Sequence, residues 1–198
     1  MAHRIDHEER RRNILDKAMR LFSQIGYDNV SLIMIAEAAG IARTVMYRYY
    51  KSKREVLDAA IRANASIIMQ QCREEIARTL SVRSKLKLIC FHVTDYLFSK
   101  REFLTAIYDF VLAMNRLGEK MGPRVFEFTK GIRTALQALL ADGLTHGEIQ
   151  AHIEPEQATE VFLTEFEAIT LRIILGMETT PEDAKHRLIL MVDAVCIK

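Results

Sequence analysis

The sequence predicts an all-α protein, and three observations carry that expectation. Only 8 glycines and 3 prolines punctuate 198 residues, too few breakers for a strand-and-turn architecture. Apolar residues recur with the 3.6-residue period through almost every segment. The composition, 49% apolar and 27% charged, is that of a globular chain with ample core, rich in residues that favour helix.

The first helix is expected from about residue 8 to 25. Ile14, Leu15, Ala18, Leu21, Phe22 and Ile25 form its apolar stripe, Glu8 and Glu9 suit its first turn, and Gly26 stops it. Ser31 is a good N-cap for a short helix that turns Leu32, Ile35, Ala36 and Ala39 inward. Gly40 breaks that helix, and another short one follows Ile41 through about Tyr50. After the polar break Lys51-Ser52-Lys53, Ser52 can cap a long helix with the stripe Val56, Leu57, Ala60, Ile61, Asn64, Ile67, Ile68, Cys72, Ile76.

Further helices follow. Leu86, Ile89, Cys90, Val93, Tyr96 and Leu97 mark one; Phe103, Leu104, Ile107, Val111 and Met114 mark the next. Gly118 and Gly122-Pro123 indicate a loop, with Pro123 opening a helix to about Leu144. The segment from Thr145 to Pro155 reads as a turn, and Pro155 and Pro181 each suit a helix start. No strand is required anywhere.

The last two helices are apolar on nearly all sides. On the first, Val161, Phe162, Leu163, Phe166, Ile169, Leu171, Ile173 and Leu175 spread around the axis; on the second, Leu188, Ile189, Leu190, Met191, Val192 and Val195 do so. Such helices are buried on two sides, by a partner subunit or at the centre of their own fold. Phe162, Phe166, Ile169, Ile173, Leu188, Met191, Val192 and Val195 are the candidate dimer contacts.

Charge is uneven. Residues 1–62 hold 12 Lys and Arg against 8 Asp and Glu, whereas the remainder is slightly acidic. A basic N-terminal third suggests a polyanion contact at that end. Three scattered cysteines, Cys72, Cys90 and Cys196, show neither disulfide nor metal spacing. The charged N-terminus is unlike a signal peptide, and no apolar run is long enough to span a membrane, so a cytoplasmic location is expected.

The informative stretch is Ser31–Lys53. Two short helices joined by a glycine turn make a helix-turn-helix pattern, whose second helix enters the major groove of double-stranded DNA. Met46 and Tyr50, four apart, should pack inward, leaving Thr44, Val45 and Arg48 on the opposite face, Tyr47 and Tyr49 on the flanks and Arg43 in the exposed first turn. Arginine can read guanine O6 and N7, and threonine can meet a base edge or a thymine methyl. Tyrosine hydroxyls and Lys53 can hold phosphates, as can Ser31 with the amides at its helix start. The bland alternative is an amphipathic surface helix with ordinary core packing.

The run Arg11–Ile61, with ILDKAMRLFSQIGYDNVS, IAEAAGI and MYRYYKSK in order and without gaps, resembles the DNA-binding domain of TetR-type transcriptional regulators. The resemblance implies a three-helix helix-turn-helix domain over residues 1–52 and a larger helical domain over 53–198 for effector binding and dimerisation. It implies a homodimeric, ligand-responsive regulator, usually a repressor. Arg43 and Thr44 fall at positions that commonly contact bases, Tyr47, Tyr49 and Lys53 at positions that commonly contact phosphates. Ala42 stands where a capping Ser is frequent, Val45 replaces a frequent Thr, and Ile33 and Met34 replace polar residues. These departures keep a second reading open, a helical small-molecule or lipid-binding module whose DNA-reading surface is degenerate.

In that family the C-terminal domain encloses an effector pocket. His92, Tyr96, Tyr108 and Asn115, which combine bulk with a polar tip inside apolar helices, and with them Phe126 and Phe166, are the candidate effector contacts, although residues of this kind are more often plain core. The many Met and Phe residues point to a hydrophobic effector. No metal is expected, because His3/His7, His92/Asp95 and Asp142/His146 gather no further ligands. No cofactor or catalytic motif is present, and an enzyme is not expected.

Overall fold

The structure, a computed structural model, describes residues 2–76 and 81–197. Among the described residues it has nine helices: α1 (Ala2–Ile25), α2 (Leu32–Ala38), α3 (Arg43–Tyr49), α4 (Lys53–Ile76), α5 (Val82–Ser99), α6 (Arg101–Arg116), α7 (Gly122–Thr145), α8 (Pro155–Leu175) and α9 (Pro181–Val195). The chain forms two compact units. One takes the residues up to Asn64 together with Glu102–Val125; the other takes Ala65–Arg101 and the residues from Phe126 on.

In the first unit α1 packs on α2 and α2 on α3. Ile14, Ala18, Phe22, Ile35, Met46, Val56 and Leu57 are buried there. The α1–α2 loop is held by Tyr27, whose ring lies 5.3 Å from that of Phe22 and 4.8 Å edge-on to Phe110 of α6. Its amide donates to the Asp109 carboxylate at 2.5 Å. Glu119 grips Arg54 with two hydrogen bonds of 2.9 and 2.7 Å. Residues 102–125 thus pack with the helix-turn-helix, a grouping that helical periodicity could not anticipate.

In the second unit α5 lies against α8 and α9, which also pack on each other. The expected stripe of α5 is buried throughout, from Leu86 to Leu97. Arg83 and Lys87 of α5 both pair with Asp193, Lys185 pairs with Asp95, and Arg187 with Glu165. Pro155 and Pro181 open α8 and α9, and Thr180 and Asp183 form a reciprocal capping box at the start of α9.

Three expectations need correction. Helix α1 begins at Ala2 rather than near residue 8, because no glycine or proline interrupts the charged N-terminal run, so Glu8 and Glu9 lie beyond its first turn. The α4 stripe fades after Ile61, and Ile67 is 49% exposed; the side chains of Cys72 and Ile76 lie outside the described residues. The segment after α7 contains a β-bridge, Ile149 to Cys196, with Gln150 N donating to Val195 O at 3.0 Å. A two-residue bridge has no periodicity to detect. Helices α8 and α9 each bury one side within the chain and leave apolar residues on the other. Phe162, Phe166, Ile169, Ile173, Leu188 and Val192 are buried within the chain, with Met191 and Val195 half-buried. The apolar residues left exposed there are Val161, Leu171, Leu175 and Leu190.

Candidate nucleic-acid interface

The helix-turn-helix is built by local chemistry. Ser31 has extended backbone and its Oγ accepts from Met34 N at 3.2 Å, starting α2 as an N-cap should. Gly40, at φ +66°, supplies the left-handed residue that turns the chain out of α2. The Ile41 amide returns to Ala36 O at 3.0 Å, and Asn13 of α1 donates to Ala39 O at 3.0 Å, pinning the turn. Helix α3 follows with Ala42 at its N-cap and no side-chain cap bond, so its first amides remain open to an outside acceptor.

Within α3 only Met46 is buried, and Tyr50 closes the helix from the inside. Arg43, Thr44, Tyr47 and Arg48 are exposed, Val45 and Tyr49 half-buried. The Arg43 guanidinium lies 5.8 Å from the Tyr47 ring centroid, so the two form one exposed cluster. The Tyr49 hydroxyl is 2.6 Å from His7 Nδ1. Lys51 Nζ donates to Tyr47 O at 2.7 Å, satisfying a carbonyl of the last α3 turn.

Lys53 stands apart from the others. Its amino group donates to Tyr27 O at 2.6 Å and to Asp28 O at 3.0 Å, above the Tyr27 ring. Burial lowers its pKa, with the Asp28 charge opposing. The cation is therefore engaged in holding the α1–α2 loop. His7, Asn13 and Asp109 complete the support of the motif. Sequence reasoning missed them because each acts across a large gap in sequence, and no local pattern signals such a partner.

The candidate effector residues divide between the units. Tyr108 is half-buried and Asn115 exposed in the first. In the second, Tyr96 and Phe166 are buried, His92 is half-buried, and Phe126 is exposed beneath the Arg133 guanidinium, 4.5 Å from its ring centroid. Burial pushes the Tyr96 phenol up. A separate groove of about 310 Å³ lies between the start of α8 and the end of α9, lined by Ile153, Val161, Phe162, Met191 and Val195 among others. Among the described residues no three His, Cys, Asp or Glu gather to hold a metal ion, and no helix is long and apolar enough to cross a membrane.

Residues 14–60 match the family profile of bacterial regulatory proteins, tetR family. The chain belongs to the TetR family. It is a transcriptional regulator that meets DNA through its helix-turn-helix, in a non-enzymatic family. It is 23% identical over 183 residues to the fatty acid metabolism regulator protein of Bacillus subtilis, covering 92% of this chain and 89% of that one. Over 49 residues it is 47% identical to the regulator AcrR of Shigella flexneri, covering 25% and 23% of the two chains. Among solved structures it resembles the fatty acid degradation regulator FadR of Bacillus halodurans, with a TM-score of 0.79 at 19% identity over 92% of this chain and 93% of that one. It also resembles FadR of Bacillus subtilis in complex with stearoyl-CoA, with a TM-score of 0.76 at 18% identity over 91% and 96%. The all-helical TetR architecture thus extends well beyond the matched domain.

Proposed function

We propose that the chain is a homodimeric, ligand-responsive repressor that binds an inverted-repeat operator and leaves it when a long-chain acyl-CoA thioester binds its C-terminal domain. The observation that carries the DNA reading is α3 itself. It buries only Met46 while displaying Arg43, Thr44, Tyr47 and Arg48 together. Arg43 and Thr44, in the first turn, are the base readers; Tyr47, Arg48 and Tyr49 set register on phosphates, with Ser31 and its helix start holding another. Lys53 contributes by fixing the loop beneath them.

Dimerisation is proposed through the outer faces of α8 and α9. Val161, Leu171 and Leu175 share one face of α8 and Leu190 lies on α9; all are exposed in the single chain. A second copy would cover them, with Met191 and Val195 at the margin. The acyl-CoA class follows from the fatty acid regulators that resemble this chain along most of its length. His92, Tyr96 and Phe166 are the residues proposed to meet the acyl chain.

Two recognition helices must lie about 34–36 Å apart to read successive major grooves. A small change in that spacing on effector binding is enough to release one half-site. The test is a duplex selected from random sequence by the protein at about 150 mM salt, where non-specific attraction is weakened. Enrichment of an inverted repeat, and its release by stearoyl-CoA but not by free CoA, supports the proposal. Failure to enrich any sequence, with or without stearoyl-CoA, overturns the repressor reading; unchanged affinity at saturating stearoyl-CoA overturns the effector class.

A further inference from the structure

Helix α1 starts at Ala2, well ahead of residue 14 where the family match begins. At about 100° per residue, positions 7, 10, 11 and 14 fall within roughly 100° of arc, whereas positions 8 and 9 fall outside it. Ile14 is fully buried. The row that packs inward at Ile14 thus continues toward the helix start as Arg11, Arg10 and His7, while Glu8 and Glu9 take the other side. A core row would need apolar residues there. This one is basic, with His7 and Arg11 exposed.

The row lies beside the end of α3. His7 Nδ1 is 2.6 Å from the Tyr49 hydroxyl, and the two rings are 5.5 Å apart. Four residues on, Arg11 is close enough to Tyr50 that its charge opposes the upward push of burial on that phenol, as does Arg62. Asn13, bonded to Ala39 O, ties α1 to the turn between α2 and α3. The basic row is therefore held in register with the recognition helix.

We propose that the start of α1 is a second DNA-backbone contact, with Arg11 on a phosphate flanking the bases that α3 reads and His7 positioning the Tyr49 hydroxyl. The inference rests on α3 being the recognition helix. A side chain beside the last turn of a helix in the major groove faces the sugar-phosphate wall, and phosphate contacts fix register without reading sequence. Glu8 and Glu9 lie off the row itself, which carries Arg10 and Arg11.

The experiment compares the full chain with its Arg11→Gln, Arg11→Lys and Arg12→Gln variants on a duplex of about 40 base pairs enriched by the wild type, titrated from 50 to 200 mM salt. One lost phosphate contact removes about 0.9 from the slope of log K against log salt. Arg11→Gln should therefore lose about 3.5-fold less affinity than the wild type across that fourfold salt range. Arg11→Lys and Arg12→Gln should keep the wild-type slope, and site selection with Arg11→Gln should return the same bases. An Arg11→Gln slope equal to the wild type overturns the proposal. So does an Arg11→Lys variant that falls as far as Arg11→Gln, which would make the residue a packing partner of Tyr50. If the wild type enriches no sequence, the repressor reading fails, while the same titration on a random duplex still reports on Arg11.

Discussion

The Asp109 carboxylate accepts a hydrogen bond from the Tyr27 amide at 2.5 Å, across 82 residues of sequence. Tyr27 is itself buried between Phe22 and Phe110. Asp109→Ala would leave that amide without its acceptor at a part-buried site, at a cost of about 1 kcal/mol. Urea unfolding should show a lower midpoint with an unchanged slope; Asp109→Asn, which keeps an acceptor oxygen, should recover part of the loss.

The structure gives Lys53 a loop-holding role beside the phosphate contact that the sequence suggests. Its amino group is bonded to Tyr27 O and Asp28 O, and charged hydrogen bonds are each worth about 1.5–3 kcal/mol. Lys53→Met should lower unfolding stability measurably in the absence of DNA. If stability is untouched and only DNA affinity falls, Lys53 acts as a phosphate contact and the loop-holding role is discarded.

The two helix starts of the motif respond oppositely to mutation. Ser31→Ala removes the bond to Met34 N and should cost about 1 kcal/mol. Ala42→Ser adds a cap where none exists and should stabilise by up to about 1 kcal/mol. Thermal unfolding of the two variants, run together, should bracket the wild type.

Base reading and phosphate binding are distinguishable on α3. Arg43→Ala should relax preference at one base pair per half-site by about 1–3 kcal/mol, whereas Tyr47→Phe should weaken binding to every sequence alike. Competition between single-base operator variants measures both. A uniform effect from Arg43→Ala would move it to the phosphate list.

Alkaline pH should unfold the chain. Burial raises the phenol pKa of Tyr27, Tyr50 and Tyr96 above the ordinary value near 10. A folded-state pKa above the unfolded one gives stability that is complete below the unfolded value and is lost as pH rises through the folded one. Tyrosinate absorbance from these buried phenols should therefore rise above pH 10 together with loss of helix by circular dichroism. Smooth titration of all six tyrosines with helix intact would contradict it.

Sequence alone determined the elements whose causes are local. Ser31, Gly40, Pro155 and Pro181 set helix ends by their own backbone chemistry, and the α5 row from Leu86 to Leu97 is buried because a 3.6-residue apolar period has only one way to face a core. The exposed face of α3 was legible for the same reason. Tertiary structure decided what depends on partners distant in the chain. It engaged Lys53 with loop carbonyls, joined residues 102–125 to the helix-turn-helix through Asp109 and Glu119, and buried Phe162 and Leu188 while leaving Leu171 and Leu190 outside. Helical periodicity says which residues share a face. Which neighbour covers that face, or which carbonyl a cation meets, follows only when helices far apart in sequence pack together.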